Sequence, residues 1–154
     1  GLWRLQQVLH EHSQRFRPGD AEVRGHRALL AAEPGAQHTF GVSMLSEFFV
    51  RDGWDVQCEP QSQWSDLQDA LAEEDYDMFG LSIGVDASLP SVSSAILKLR
   101  RSSRNRRLFV MVGGPTALTM PDLAERCGAD AMASDATNAV ELANRWLRPA
   151  RRTL

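Results

Sequence analysis

From Arg24 onward the apolar residues fall into short continuous runs that alternate with stretches of helical spacing. Residues 26–32 form the first run, and Val42, Leu45 and Phe48 mark the inward face of a helix over 38–51. A turn at Asp52-Gly53 leads to a second strand at 54–58. Trp64, Leu67 and Leu71 then carry a second helix, with Ser62 or Gln63 near its cap. Residues 76–83 read as a third strand, and Leu89, Val92, Ile96 and Leu99 give a clear helical stripe after it. The run 108–112 is continuously apolar between a basic loop and two glycines, as expected of a strand buried on both faces of a parallel sheet. Thr119-Met120-Pro121-Asp122 predicts a helix start and Cys127-Gly128 its end. A short strand at 130–133 precedes a last helix bearing Ala136, Val140, Ala143 and Leu147, which Pro149 is expected to stop. Five strands alternating with five helices predict an α/β fold, a doubly wound five-stranded parallel sheet of flavodoxin-like type.

Ahead of this repeat, Leu2, Leu5, Leu9 and Phe16 stand near helical spacing and predict an extra amphipathic helix ended by Pro18-Gly19. The expected organisation is a leading helix over 1–19, an α/β domain over 24–148 and a tail over 149–154. A chain that starts and stops on helix-like sequence is expected to be a domain of a larger protein.

Composition narrows the function classes. The 154 residues are 43% hydrophobic and 24% charged, ordinary values for a folded domain with a core of its own. The formal charge of −3 provides no global attraction to nucleic acid or anionic lipid. Charges interrupt every apolar run well short of the ~18 residues that a membrane span needs. Arg4 and His10 bracket the only early apolar stretch, so no secretory leader is expected. Cys58 and Cys127 form no CxxC pair and fit a reducing cytoplasm.

The chemistry-bearing residues sit where predicted strands run out into loops. His38 and Gly41 follow the first strand, Ser82 and Gly84 end the third, and Gly113-Gly114 follow the fourth. Ligands of open parallel sheets bind at the carboxyl ends of the strands, so these segments converge on one crevice. An imidazole there can ligate a metal or donate a hydrogen bond, or simply cap a helix. Gly41 stands one turn into a helix, where glycine costs roughly 1 kcal/mol against alanine; close approach of a ligand and close helix–strand packing both account for it. Gly113-Gly114 strip side chains from a crevice wall, or serve a tight turn before Pro115. No acid/base pair or nucleophile triad accompanies them, which predicts binding or sensing rather than catalysis.

The sequence His38-x-x-Gly41, then Ser82, then Gly113-Gly114, resembles the cobalamin-binding fold of methionine synthases, mutases and cobalamin photoreceptors over residues 24–147. That resemblance implies His38 as lower axial ligand, and Ser82 with the glycines as the slot for the cofactor's displaced nucleotide tail. Two positions depart from the family pattern. Ala36 stands where the family has the aspartate that supports the histidine, and Ser82-Ile83-Gly84 replaces Ser-x-Leu or Ser-x-Thr. With the leading tryptophan-bearing helix and arginine-rich surface, these departures look like the SCHIC domain (sensor containing heme instead of cobalamin) of bacterial photosynthesis-gene antirepressors, AppA type, with PpaA and AerR types as relatives.

This narrower resemblance implies a non-catalytic sensory domain that binds heme, or alternatively cobalamin, at His38, Gly41, Ser82, Gly84, Gly113 and Gly114. It also implies a repressor partner of the PpsR/CrtJ type and contacts with other domains of the full-length chain, without membrane or direct DNA contact. The alternatives are a degenerate fold with no cofactor, acting only through protein contacts, and a cobalamin-carrier subunit of a mutase or methyltransferase. A phosphoacceptor receiver is excluded, because Ala31-Ala32-Glu33, Leu81-Ser82 and Ala133-Ser134 lack the required acids and lysine. Arg100, Arg101, Arg104, Arg106 and Arg107 read as a solvated helix end or a patch for an acidic partner.

Overall fold

The computed structural model describes residues 26–36 and 40–152. The expected leading helix over 1–19 lies outside the described residues, as does His38. Five strands form one parallel sheet: β1 (Arg27–Ala32), β2 (Asp55–Glu59), β3 (Met78–Ser82), β4 (Phe109–Gly113) and β5 (Ala131–Met132). Their spatial order is β2-β1-β3-β4-β5, the doubly wound order whose direction of winding reverses between β1 and β3. The helices are α1 (Phe40–Arg51), α2 (Trp64–Glu73), α3 (Leu89–Ser102), α4 (Leu123–Cys127) and α5 (Ala136–Arg152), with a 3-10 turn at Pro115–Leu118 between β4 and α4.

Alternating strand residues separate two cores. Leu29, Phe79, Leu81, Val110 and Val112 point to one face and bury Leu67 and Leu71 of α2, Val92, Ile96 and Leu99 of α3, and Leu123 of α4. Ala28, Leu30, Met78, Phe109 and Met111 point to the other, against Val42 and Phe49 of α1 and Ala139 and Ala143 of α5. Strands apolar on both faces are what a central parallel sheet demands.

Local sequence sets the ends of these elements. The Gln63 N–H donates to Asp66 Oδ2 (3.1 Å) at the start of α2. Gly128 ends α4 in the left-handed region, φ +77°. The Asn138 N–H donates to Asp135 Oδ1 (2.8 Å) at the start of α5. Arg100 is a staple, reaching Leu108 O, Gly128 O and Asp130 Oδ2, and Arg104 reaches Glu73 O. Two of the five clustered arginines therefore tie the end of α3 to its neighbours.

Two expectations are corrected. In α1 the fully buried large residue is Phe49, while Leu45 and Phe48 are only half-buried. Small Ser46, buried with Val42 and Phe49, takes the centre of the packed face and shifts its phase. Helix α5 does not stop at Pro149 but continues to Arg152; a proline forfeits one i→i−4 hydrogen bond and crowds one carbonyl, and the last turn persists here despite both.

Candidate functional site

The register of the sheet builds the site. Ala32 pairs with Ser82, and Ser82 pairs with Gly113, so the ends of β1, β3 and β4 lie side by side although ~50 and ~30 residues apart in sequence. Neighbouring strands stand about 4.8 Å apart. Beyond them the loops are knitted together: Glu33 N–H donates to Ser82 O (2.9 Å), Ile83 N–H to Gly113 O (2.8 Å) and Thr116 N–H to Ile83 O (3.3 Å). The Gly84 peptide is clamped at both ends, its N–H on Glu33 Oε1 (3.0 Å) and its carbonyl receiving Thr116 Oγ1 (2.6 Å).

Two cavities flank Ser82. The first, about 320 Å³, is a slot between β3–β4 and the pair α1/α5, a size at the lower end of small-molecule sites. Gly41, Ser82, Gly113 and Gly114 line it, with Gly80, Met78, Met111 and Leu45 deeper down. The second, about 490 Å³, lies on the α2/α3 side and includes Ser82, Gly84, Glu33, Trp64 and Asp86. Five of the six candidate residues thus line these two cavities, and Ser82 belongs to both. The sixth, His38, lies outside the described residues, two positions after Ala36, which packs partly buried against the α1/α5 core.

The glycines differ in what they do. At Gly114, φ is +98°, and an added Cβ would come within 2.7 Å of Ser82 Oγ and 2.9 Å of the Ile83 N and O. Only glycine lets the β4 loop lie this close to β3. At Gly113 a Cβ would meet Ala133 O at 3.3 Å, and at Gly84 it would meet Glu33 Oε1 at 3.2 Å. Gly41 is exposed, and a Cβ there would meet nothing within 4 Å. Helix–strand packing therefore does not explain Gly41, which opens onto the slot.

Gly80 was not among the candidates; it borders the slot, and Leu30 and Met78 fill the space over it. A Cβ there would fall 2.7 Å from Leu30 Cδ2 and 3.2 Å from Met78 Cε. The signal was present in the sequence as an isolated glycine inside an apolar strand, a mark of close approach by a backbone or ligand.

Charge in the site is confined to the second cavity and the slot's rim. Burial pushes the Glu33 carboxyl up from its ordinary value, against the hydrogen bond from Gly84, and the nearby Asp86 adds to the rise. Asp135 is exposed at the mouth of the slot. Burial drives the Cys58 thiol up to about 12 and raises that of Cys127, so neither offers a thiolate. Among the described residues no group of three His, Cys, Asp or Glu side chains could hold a metal ion. Nor is any helix among them long and apolar enough to cross a membrane.

Comparison with solved structures yields the same architecture. A novel cobalamin-binding protein from Desulfitobacterium hafniense DCB-2 superposes with a TM-score of 0.70 at 22% identity, covering 79% of this chain and 59% of the other. The monomethylamine corrinoid protein of Methanosarcina barkeri superposes with a TM-score of 0.69 at 17% identity, covering 91% of this chain and 64% of the other. The chain thus spans less than two thirds of either relative. A comparison with curated protein sequences finds no match. A family model described as B12 binding domain matches residues 26–143, and the chain belongs to that family.

Proposed function

We propose that this member of the B12 binding domain family holds a corrinoid, with the nucleotide tail of the cofactor in the slot beside Ser82, Gly113 and Gly114. The open, glycine-lined slot of about 320 Å³ carries this reading. Gly114 admits no side chain and the space beside Gly41 is open, so the residues present fit a flat group with a tail. His38 is the candidate axial ligand. When bound, such a cofactor would supply a cobalt centre able to exchange ligands. The chain's own part is to seat the tail beside Ser82, Gly113 and Gly114. Heme, favoured by the sequence resemblance, has no nucleotide tail for this slot, and both similar structures are described by cobalamin or corrinoid.

The finer reading is a sensory domain of an antirepressor, SCHIC type, that engages a repressor of the PpsR/CrtJ type without catalysis of its own. Ala36 supports it: a partly buried methyl against the α1/α5 core replaces the carboxylate that would orient the imidazole, and such supporting partners are typically worth tenfold or more in affinity. Pull-down of the repressor by the chain, with and without hydroxocobalamin, tests this part separately.

Absorbance titration with hydroxocobalamin and hemin tests the cofactor. A saturable change with hydroxocobalamin is expected, altered in His38→Ala. In Gly41→Leu, affinity should fall about tenfold or more with the melting temperature unchanged, since the new side chain enters open space at the slot and not the core. No saturable change with hydroxocobalamin overturns the proposal.

A further inference from the structure

One residue that lines neither cavity holds the wall between them. Ser82 lines both cavities, and Gly113 and Gly114 line the first. These groups end different strands, β3 and β4, so the gap between them depends on bonds from one loop to the other. Thr116, in the turn after β4, supplies two such bonds. Its N–H donates to Ile83 O (3.3 Å) and its Oγ1 to Gly84 O (2.6 Å), two successive carbonyls of the loop after β3. The residue is buried and borders neither the slot nor the second cavity. A side chain branched at Cβ is stiff at χ1, so the hydroxyl is held toward Gly84 with little freedom to lose. The same Gly84 peptide gives its N–H to Glu33 Oε1 (3.0 Å), in the segment that follows β1. Three loops of the crevice are thereby tied through one peptide group.

We infer that Thr116 is a positioning residue for the ligand: it fixes the β3 loop against the β4 loop and so sets the gap beside Ser82 and Gly114 that receives the nucleotide tail. This rests on the reading of the slot as the tail site. A ligand that meets a wall already in place loses none of its binding energy to ordering that wall. The Gly84 carbonyl keeps a second donor, the Ala87 N–H (3.2 Å), so removal of the hydroxyl loosens the loop without leaving the carbonyl bare.

The test is an absorbance titration of the 154-residue chain with hydroxocobalamin and with cobinamide, which lacks the tail. Thr116→Val keeps the branched shape and removes the hydroxyl; Thr116→Ser restores the hydroxyl. Thr116→Val should weaken hydroxocobalamin about fivefold or more, the weight of one ordinary hydrogen bond, and leave cobinamide unchanged. Thr116→Ser should recover most of the loss. Equal losses for both probes, or none for hydroxocobalamin, overturn the inference and leave the tail site standing. A wild-type chain that binds hydroxocobalamin no better than cobinamide overturns the tail site and this inference with it. Amide hydrogen exchange of the ligand-free wild type gives a readout that does not depend on any variant folding. The Ile83 and Gly84 amides should exchange as slowly as those within β3, and exchange at the rate of an open loop overturns the inference.

Discussion

Replacing Gly114 by alanine isolates the contact that holds the two halves of the site together. The backbone there is at φ +98°, ψ −171°, a region essentially reserved for glycine, and an L-residue forced into it costs about 1–3 kcal/mol. The methyl would also press on the Ile83 backbone at 2.9 Å, which cannot swing aside as a side-chain end can. Relief requires the β4 loop to lift from β3, loosening the bonds Ile83 N–H to Gly113 O and Thr116 N–H to Ile83 O, each worth about 1 kcal/mol. The sum is about 3–5 kcal/mol. At roughly 2–4 °C per kcal/mol for a chain of this size, the melting temperature should drop by about 10 °C. Gly113→Ala is the control: its φ is not positive, its nearest contact is Ala133 O at 3.3 Å, and about 1 kcal/mol or less is expected. Urea denaturation followed by far-UV circular dichroism measures both. Equal losses for the two variants, or a Gly114→Ala loss under about 1 kcal/mol, would refute the reasoning.

Glu33→Gln should keep the acceptor for the Gly84 N–H while removing a carboxylate that burial and Asp86 disfavour. Because the native carboxyl binds its proton more tightly than the unfolded one, Glu33 contributes stability below pH ~4.5 that is lost as pH rises. The variant should therefore match or exceed the wild type at pH 7 and lose that advantage toward pH 4; urea midpoints at both pH values decide, and a variant weaker at pH 7 contradicts the assignment. Cys58 and Cys127 should resist a thiol-specific disulfide reagent in the native protein at pH 8 and react in denaturant, since burial keeps both protonated. Rapid modification of either native thiol, counted by absorbance, contradicts their burial.

Continuous apolar runs were enough to place β1, β3 and β4, which are buried on both faces, whereas the edge strands β2 and β5 are only partly buried and were placed by their position between helical stripes. The convergence of Ser82 and Gly113 was also legible, since in-register parallel strands bring their carboxyl ends together. Helix α1 was harder. Its stripe was assigned by residue chemistry, whereas the packed face is set by shape, with Ser46 allowing close approach to the sheet. Gly80 escaped notice because its effect is a space: a missing side chain whose meaning depends on Leu30, 50 residues earlier. The bond between Glu33 and Gly84 could not be read either, as no local pattern ties a glutamate after one strand to a peptide after another.

Gly80 also bears on how this domain can change over evolutionary time. A single-nucleotide substitution turns a glycine codon into one for alanine or valine, and either side chain would have to displace the end of Leu30 above it. Leu30 belongs to the core against α1 and α5, so the change is felt there and not at the helix caps. A well-packed sheet centre and a strained one are therefore immediate neighbours in sequence space. Glycine is held at this position by the packing of the sheet itself, whatever the crevice beside it holds.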